Sequence, residues 1–215
     1  MKRANRTVQA LPVVAACLLA LAGSAFAQSA SQPPDEMLVY NFCQGRCINF
    51  QTFGTAGEDT AVVRETSPQV WTISNAAGLE AGRGCEQDEA DQVSCRRRQK
   101  LEAYFDLFGG SDRLRLRVDS GVFAVFANSG ADRVIGGHAH DGLYGGLGSD
   151  TLRGRSGADA FDGGPGNDSL DAADGERDRR IQCGDGERDF ARIDPIDPRP
   201  IGCERVVKVR DHAAL

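Results

Sequence analysis

The chain has 215 residues, of which 25 are lysine or arginine and 31 are aspartate or glutamate, so its formal net charge is −6. This acidic balance disfavours nucleic acid and anionic membrane surfaces as partners. The sequence also contains 26 glycines, and a composition rich in glycine and aspartate is by itself typical of a flexible linker.

Residues 1–27 have the pattern of an export signal peptide. A basic start (Lys2, Arg3 and Arg6) precedes an apolar run over residues 8–22, and Ala25-Phe26-Ala27 is a small-x-small cleavage site. Removal of this segment takes away three basic residues, which leaves 22 against 31 acidic residues and a charge of −9. We therefore expect a secreted protein.

Two alternatives concern the same segment. A transmembrane anchor is not expected, because Gln9 and Pro12 interrupt the apolar run and no stop-transfer charges follow it. Val14-Ala15-Ala16-Cys17 resembles a bacterial lipobox, which would give a lipid anchor at Cys17. The apolar run continues past that cysteine, so the signal peptide is the favoured prediction.

Six cysteines follow the signal segment: Cys43, Cys47, Cys85, Cys95, Cys183 and Cys203. An even number in an exported protein is typical of disulfides. The sequence alone does not select a connectivity, but pairing of neighbours would give 43–47, 85–95 and 183–203. A zinc site at the Cys43-x3-Cys47 motif is the competing interpretation, and it is weak because the only histidines are His138, His140 and His212.

After a polar lead over residues 28–36, residues 37–126 form a predicted β-rich region. Segments 38–42 and 48–53 flank a Cys-Gln-Gly-Arg-Cys turn and predict a hairpin. Residues 54–62 and 109–114 each resemble a degenerate Gly/Asp nonapeptide, and Ser67-Pro68 separates the strand that follows the first of them from another that begins at Val70. The region is therefore predicted to form further coils of one solenoid, with irregular turns.

Residues 127–171 are five consecutive nonapeptides, and the rest of the chain is organised around them. The fourth residue is glycine in four of the five, with Ala139 in the second. The sixth residue is aspartate in every unit: Asp132, Asp141, Asp150, Asp159 and Asp168. The eighth is apolar in every unit: Val134, Leu143, Leu152, Phe161 and Leu170. Strict register of this kind argues against a flexible linker.

Each unit predicts a six-residue turn followed by a three-residue strand that directs its central side chain inward, because strand side chains alternate. Two units make one flattened coil of 18 residues, so turns n and n+2 stack about 4.8 Å apart. The carboxylates in such a stack repel each other unless a cation lies between them. Hard oxygen ligands in flexible geometry suit Ca²⁺, and the sequence therefore predicts calcium binding.

The nonapeptides resemble the haemolysin-type, or repeats-in-toxin (RTX), calcium-binding repeat. The resemblance implies that backbone carbonyls of the glycine-rich turns are also calcium ligands: Gly136, Gly145, Gly148, Gly154, Gly157, Gly163 and Gly166. Residues 71–79, 82–85 and 93–95 are similar to the leader of secreted calcium-binding proteins of actinobacteria. We predict an all-β fold, a right-handed parallel β-roll or β-solenoid with an irregular β-rich N-terminal part.

Three n/n+2 pairs predict about three bound calcium ions: Asp132 with Asp150, Asp141 with Asp159, and Asp150 with Asp168. Asp150 belongs to two of these pairs, so its loss is expected to cost the most binding. Ala139 lies where a positive φ is expected, and the second turn is therefore predicted to be distorted. Arg155 stands in place of glycine at position two and should point outward, because the interior has no room for it.

Residues 172–215 are predicted to form a disulfide-closed C-terminal cap. The motif of residues 174–178 recurs at 185–189, a period of eleven instead of nine. An uncapped solenoid leaves an open strand edge, and Pro195, Pro198 and Pro200 suit an end because proline cannot extend a ladder. We therefore favour a cap over further calcium sites in this segment.

Enzymatic activity is not predicted. The sequence contains neither H-E-x-x-H nor G-x-S-x-G, and His138 and His140 lie at turn positions that should face solvent. Residues 37–126 are also short for a protease or lipase domain. The favoured hypothesis is an exported calcium-binding structural domain. The alternatives are a calcium-dependent adhesin with a cell-surface or matrix partner and, less favoured, a secreted hydrolase.

Overall fold

The computed structural model describes residues 37–209, except for 45, 68–69, 76–78, 82–84 and 97–101. The predicted signal peptide, the lipobox cysteine, the polar lead and residues 210–215 lie outside the described part. Within that part every regular element is a β-strand. No described helix is long and apolar enough to cross a membrane.

The strands in chain order are β1 (Met37–Gln44), β2 (Arg46–Phe53), β3 (Thr60–Ser67), β4 (Val70–Asn75), β5 (Leu79–Ala81), β6 (Cys85–Glu89), β7 (Gln92–Arg96), β8 (Glu102–Asp106), β9 (Arg113–Arg117), β10 (Val122–Ser129), β11 (Arg133–Ile135), β12 (Gly142–Leu147), β13 (Thr151–Arg153), β14 (Ala160–Pro165), β15 (Ser169–Asp171), β16 (Arg180–Asp185), β17 (Phe190–Ile193) and β18 (Arg205–Lys208). They form two sheets. Sheet A has the order β16-β14-β12-β10-β8-β2-β1-β5, and sheet B has the order β18-β17-β15-β13-β11-β9-β3-β4-β7-β6.

The regular part, from β10 to β17, is a parallel β-solenoid of four turns. Each turn adds one strand to sheet A and the next strand to sheet B, and every neighbouring pair in this part is parallel. In sheet B, Val134 is in register with Leu152 and Leu152 with Leu170. The predicted 18-residue coil is therefore the repeating unit of the fold.

Within the array, the core is a double column of apolar side chains, one from each of the strands β11–β15. The predicted inward residues Val134, Leu143, Leu152, Phe161 and Leu170 are all fully buried. Alternation explains this arrangement, since the residues on either side of each one point away from the core. The prediction of inward positions is confirmed.

Some strands of the N-terminal region belong to the parallel solenoid, and others form antiparallel hairpins. β1 and β2 form the predicted antiparallel hairpin, while β2 and β3 pair in parallel with β8 and β9 and so belong to the solenoid. In contrast, β4 runs antiparallel to β3, and β7 is antiparallel to both β4 and β6. The expectation of solenoid coils throughout this region is wrong for β4, β6 and β7. The chain has too few residues between Ser67 and Val70 for the crossover that a parallel strand requires.

Among the described side chains, two disulfides join predicted neighbours. Cys85 and Cys95 link β6 to β7 across a separation of 10 residues, and Cys183 and Cys203 link β16 to the segment before β18 across 20 residues. Cys43 and Cys47 lie opposite each other in the register of β1 and β2, but their side chains lie outside the described part. The predicted disulfide near the C-terminus is therefore confirmed.

The solenoid continues beyond the last nonapeptide. β16 pairs in parallel with β14, and β17 pairs in parallel with β15, so residues 180–193 add a further strand to each sheet. Ile201 then bridges Gln182, and β18 covers β17. The irregular spacing of this segment lengthens its turns without ending the parallel ladder.

Candidate metal centre

The repeat aspartates stack into a ladder along one edge of the solenoid. The backbone N–H of each aspartate donates a hydrogen bond of 2.7–2.8 Å to Oδ1 of the aspartate one coil further on, and the last donates to Glu204 Oε2. This first ladder contains Asp59, Asp112, Asp132, Asp150, Asp168 and Asp189. Two of the predicted pairs, Asp132 with Asp150 and Asp150 with Asp168, lie in it.

A second ladder lines the opposite edge. Its first acceptor is Asp141, whose Oδ1 lies 3.1 Å from the amide nitrogen of Phe123. Asp141, Asp159 and Asp178 then donate in turn to Oδ1 of Asp159, Asp178 and Asp197, at 2.7, 2.8 and 2.9 Å. The third predicted pair, Asp141 with Asp159, is stacked in this way.

The ladders extend past the predicted pairs at both ends. Asp132 stacks with Asp112 as well as with Asp150, and Asp168 stacks with Asp189 as well as with Asp150. Asp150 is therefore not the only carboxylate shared by two pairs, and the expectation that it differs from Asp132 for this reason is wrong. The additional partners come from degenerate turns that lie outside the five nonapeptides.

The second carboxylate oxygen is the part of each ladder residue that fits a cation. Buried Oδ2 atoms without a hydrogen-bond partner occur at Asp112, Asp132, Asp150, Asp159, Asp168, Asp178 and Asp189. A buried anionic oxygen is costly unless it is paired, coordinates a metal or takes up a proton. None of the described lysines or arginines forms an ion pair with these seven aspartates. The donor set therefore matches the oxygen ligands that calcium prefers.

Burial changes the acidity of these groups. Burial raises the pKa of Asp159 to about 8; the hydrogen bond from the Asp141 amide opposes this shift, and the neighbouring carboxylates Asp141, Asp178 and Asp174 add to it. For the same leading reason the pKa rises to about 6 at Asp150 and to about 6 at Asp168. A bound cation would oppose this rise in pKa, since a nearby positive charge favours the ionised carboxylate.

The predicted glycines surround the carboxylates because nothing larger fits. A Cβ on Gly145, Gly154 or Gly163, at position one, would lie 2.1–2.5 Å from Oδ2 of the aspartate in the same turn. At position four, Gly148 and Gly166 have φ of 129° and 150°, and a Cβ would lie 1.6–1.7 Å from the carbonyl oxygen of the glycine in the stacked turn. Backbone and carboxylate oxygens are thereby packed together in each turn.

The second turn, residues 136–141, differs from the others as predicted. Neither Gly137 nor Ala139 has a positive φ, although the corresponding residues in neighbouring turns do. Oδ2 of Asp141 accepts a hydrogen bond of 2.7 Å from the Gly137 amide. Because that oxygen is already satisfied, the Asp141 carboxylate has less capacity to bind a cation than the others.

Arg155 adopts a positive φ of 75° at position two of the fourth turn. Its side chain lies outside the core, as expected, and remains half-buried against the preceding turns. One guanidinium nitrogen lies 2.8 Å from His138 Nε2, and another donates to the Leu116 carbonyl at 3.4 Å. The Arg155 side chain therefore joins the fourth turn to the second turn and to β9.

A three-carboxylate cluster lies where the second ladder leaves the regular array. One oxygen each from Asp159, Asp174 and Asp178 lies within 4.8 Å of the others, and the Oδ2 atoms of all three are buried without a hydrogen-bond partner. The sequence analysis did not identify Asp174 and Asp178 as ligands. In each nonapeptide one residue separates the aspartate from the inward apolar residue, whereas two residues separate Asp178 from the inward Ile181. At Asp189 the nonapeptide signal survives as Asp189-Phe190-Ala191, with Ala191 buried.

Comparison with known proteins agrees with this geometry. No curated protein and no solved structure matches the chain, so the resemblance of residues 71–95 to actinobacterial proteins stays a prediction. Residues 125–152 and 144–176 match the family model of the RTX calcium-binding nonapeptide repeat (4 copies). The chain thus contains RTX calcium-binding repeats folded as a β-solenoid, and Ca²⁺ is the ligand expected for them.

Proposed function

We propose that this chain is an exported protein whose RTX repeats bind calcium between stacked turns and, at neutral pH, fold into the β-roll only when the metal is bound. The observation that supports this proposal best is that seven aspartates of the two stacked ladders have a buried Oδ2 atom without a hydrogen-bond partner. The proposed ligands are the carboxylates of Asp132, Asp141, Asp150, Asp159 and Asp168 and the backbone of Gly136, Gly145, Gly148, Gly154, Gly157, Gly163 and Gly166. About three ions bind within the array.

The dependence of folding on calcium follows from the thin core. Each short strand of the array contributes a single large apolar side chain, while one aspartate per nonapeptide is brought out of water. Binding of a metal to the folded state alone stabilises that state by mass action. Low calcium inside the cell then keeps the chain unfolded for export, and the higher concentration outside sets the fold.

The proposed division of the chain follows its chemistry. Residues 1–27 direct export, with lipid attachment at Cys17 as the alternative, and residues 28–36 are a polar lead. Residues 37–126 form the β-rich N-terminal region, 127–171 the calcium-binding repeats and 172–215 the C-terminal cap. We propose a binding role without catalysis. A calcium-dependent adhesin is the second candidate, favoured by the charged surface described in the next subsection.

Circular dichroism of the chain from Gln28 onward, with its disulfides formed, tests the proposal. In chelator the β signal of the array should be largely absent, and it should appear on addition of millimolar calcium with a large rise in Tm. Magnesium at the same concentration is the control, because its stricter octahedral geometry suits these flexible oxygen sites poorly. A complete β signal in chelator, with a Tm that calcium leaves unchanged, would refute calcium-driven folding.

A further inference from the structure

On the outer surface of sheet B, six arginines of the adjacent strands β3, β9, β11 and β13 are exposed. We refer to Arg64, Arg113, Arg115, Arg117, Arg133 and Arg153 as the arginine face. The sequence of β9, Arg-Leu-Arg-Leu-Arg, explains its centre: Leu114 and Leu116 are buried in the core, so alternation directs all three arginines outward. The arginine face is thus fixed by the same pattern that builds the core.

The strand register places several of these arginines side by side. Arg113 lies opposite Arg133, and Arg64 lies opposite Arg117. Neighbouring strands are about 4.8 Å apart, and outward residues of one strand are about 6.6 Å apart, so the guanidinium groups form a dense two-dimensional array. Like charges directly opposite in a sheet destabilise it, so the arrangement costs stability unless an anion lies across it.

Few carboxylates of this acidic chain compensate the arginine face. Asp171 lies at its border, 3.4 Å from Arg153, where it also pairs with Arg192 at 3.0 Å. Within the described part of the chain, no carboxylate lies within 4.0 Å of Arg113, Arg115, Arg117 or Arg133. Many of the acidic side chains are instead buried in the two ladders at the edges. The fold therefore separates the two signs of charge.

We propose that the arginine face is the docking surface for an acidic polysaccharide carrying sulfate or carboxylate groups. Guanidinium groups bind such anions through two parallel hydrogen bonds, and a rigid flat array matches a linear polymer of repeating charge. The outward residues between the arginines include Thr60 and Thr151, whose hydroxyls suit sugar hydroxyls. This inference rests on the proposed export, because it places the surface among extracellular polymers.

Two other polyanions fit the arginine face less well. Single-stranded nucleic acid is held by aromatic side chains on which bases stack, and no outward residue of β3, β9, β11 or β13 is aromatic. An anionic membrane favours surfaces with exposed apolar groups that enter the lipid interface. The exposed Phe126 and Leu147 belong to strands of sheet A, and the exposed Val206 and Val207 belong to β18, which β17 and β15 separate from β13, so none of them lies among these arginines.

Calcium should strengthen this interaction. Ions bound in the aspartate ladders offset the negative charge at both edges, which otherwise repels an anionic polymer approaching sheet B. The opposing pairs also exist only when β3, β9 and β11 are stacked, and calcium is the proposed cause of that stacking. Polysaccharide binding should therefore be lost in chelator together with the fold.

The test measures binding of the calcium-loaded chain to dextran sulfate, with uncharged dextran as the polymer control. At moderate salt, the affinity of the variant Arg113→Thr/Arg115→Thr/Arg133→Thr should be lower by a factor of about ten or more. The slope of its log affinity against log salt concentration should decrease in magnitude by about two to three. The matched variant Arg177→Thr/Arg188→Thr/Arg199→Thr removes the same charge from exposed turn positions and should stay close to the unchanged protein.

Removal of opposing like charges should raise the Tm of the first variant, so a loss of binding is distinguishable from misfolding. The number of calcium ions bound by the same samples should be unchanged, which separates this inference from the proposed function. If the triple variant does not fold, Arg64→Thr/Arg117→Thr tests the other opposing pair and should also lose affinity. Equal losses in the matched control, or tighter binding to single-stranded DNA or to phosphatidylglycerol vesicles, would overturn the inference.

Discussion

Each ladder aspartate uses its two carboxylate oxygens for different purposes. At Asp150, Oδ1 accepts the amide of Asp132 at 2.8 Å and so fixes the distance between two turns. Its Oδ2 is buried without a partner. The same residue therefore sets the register of the coil and supplies a ligand, which couples stacking to metal binding at the level of one side chain.

The position-four glycines set the closest approach between turns, and we predict that they tolerate no side chain. In Gly148→Ala, a Cβ would meet the Gly130 carbonyl oxygen at 1.6 Å in a backbone with φ of 129°. The loss of unfolding free energy should exceed the cost of about 1–2 kcal/mol that the positive φ alone imposes. Urea denaturation in saturating calcium measures it.

Gly57→Ala is the matched control, because Gly57 has no positive φ and a Cβ there would meet only Thr55 Oγ1, at 3.7 Å. It should leave the urea midpoint nearly unchanged. Similar destabilisation by the two substitutions would contradict the argument from turn spacing.

At the scale of the coil, the stacking unit is tolerant of insertions in its turns. Successive ladder aspartates are 18 residues apart in the array but 19 to 21 apart near residues 178 and 189. The extra residues lie in the turns, and the strands keep their parallel register. A broken sequence period therefore does not mark the end of the ladder.

We predict that the ladder binds calcium beyond the nonapeptides. Asp178→Asn should lower the calcium stoichiometry by about one ion or weaken one site by about tenfold, which is about 1.4 kcal/mol, because Asp178 contributes to the cluster with Asp159 and Asp174. Isothermal titration calorimetry measures both quantities. Asp150→Asn serves as a positive control within the array.

Asp91→Asn is the matched negative control for this prediction, since Asp91 is exposed and belongs to neither ladder. If Asp178→Asn binds calcium as Asp91→Asn does while Asp150→Asn is impaired, the residues after 171 act as a cap without a metal site.

The Cys183–Cys203 disulfide fastens the last coil, and its removal should destabilise the roll. It closes a loop across 20 residues, for which loop entropy corresponds to about 3 kcal/mol. The double substitution Cys183→Ser/Cys203→Ser should lower the urea midpoint and raise the calcium concentration needed for folding. Hydrogen exchange should locate the loosening in β16–β18.

The comparison for this prediction is Cys85→Ser/Cys95→Ser, which removes the link between β6 and β7 in the antiparallel extension of sheet B. That variant should need the same calcium concentration for half-maximal folding as the unchanged protein. A calcium midpoint that moves equally in both variants would show that the C-terminal disulfide has no special role in the roll.

At the scale of the whole molecule, the buried carboxylates make stability depend on pH in opposite ways with and without calcium. Burial raises the pKa of Asp112 and Asp141 to about 7, and that of Asp159 and Asp178 to about 8. The unfolded chain has ordinary values near 4. Between these pKa values the folded, calcium-free chain binds more protons than the unfolded chain does. Its stability is therefore greatest at low pH and falls as the pH rises to about 8.

In chelator we therefore expect the β signal and Tm to increase as the pH is lowered from about 8 towards about 4, because protonation neutralises the ladders. In saturating calcium the trend should reverse, since protons displace the metal from its carboxylates. Thermal melts monitored by circular dichroism across this range measure both curves. Parallel pH profiles with and without calcium would contradict the assignment of these carboxylates as metal ligands.

The nonapeptide register by itself determined the fold class, the inward residues and the stacked aspartates, because each depends on alternation or on a period along the chain. The positions of Val134 and Asp132 in the fold follow from their positions within a single nonapeptide. The tertiary structure alone decided the features that depend on pairing between distant segments. The position of β7 between β4 and β6 is such a feature, and Asp178 joins the ladder because β16 stacks on β14 despite the longer turn. The opposition of Arg64 to Arg117 likewise exists only across two strands that are far apart in sequence. Local periodicity fixes where a side chain points, whereas the neighbour that it meets is set by strand register in three dimensions.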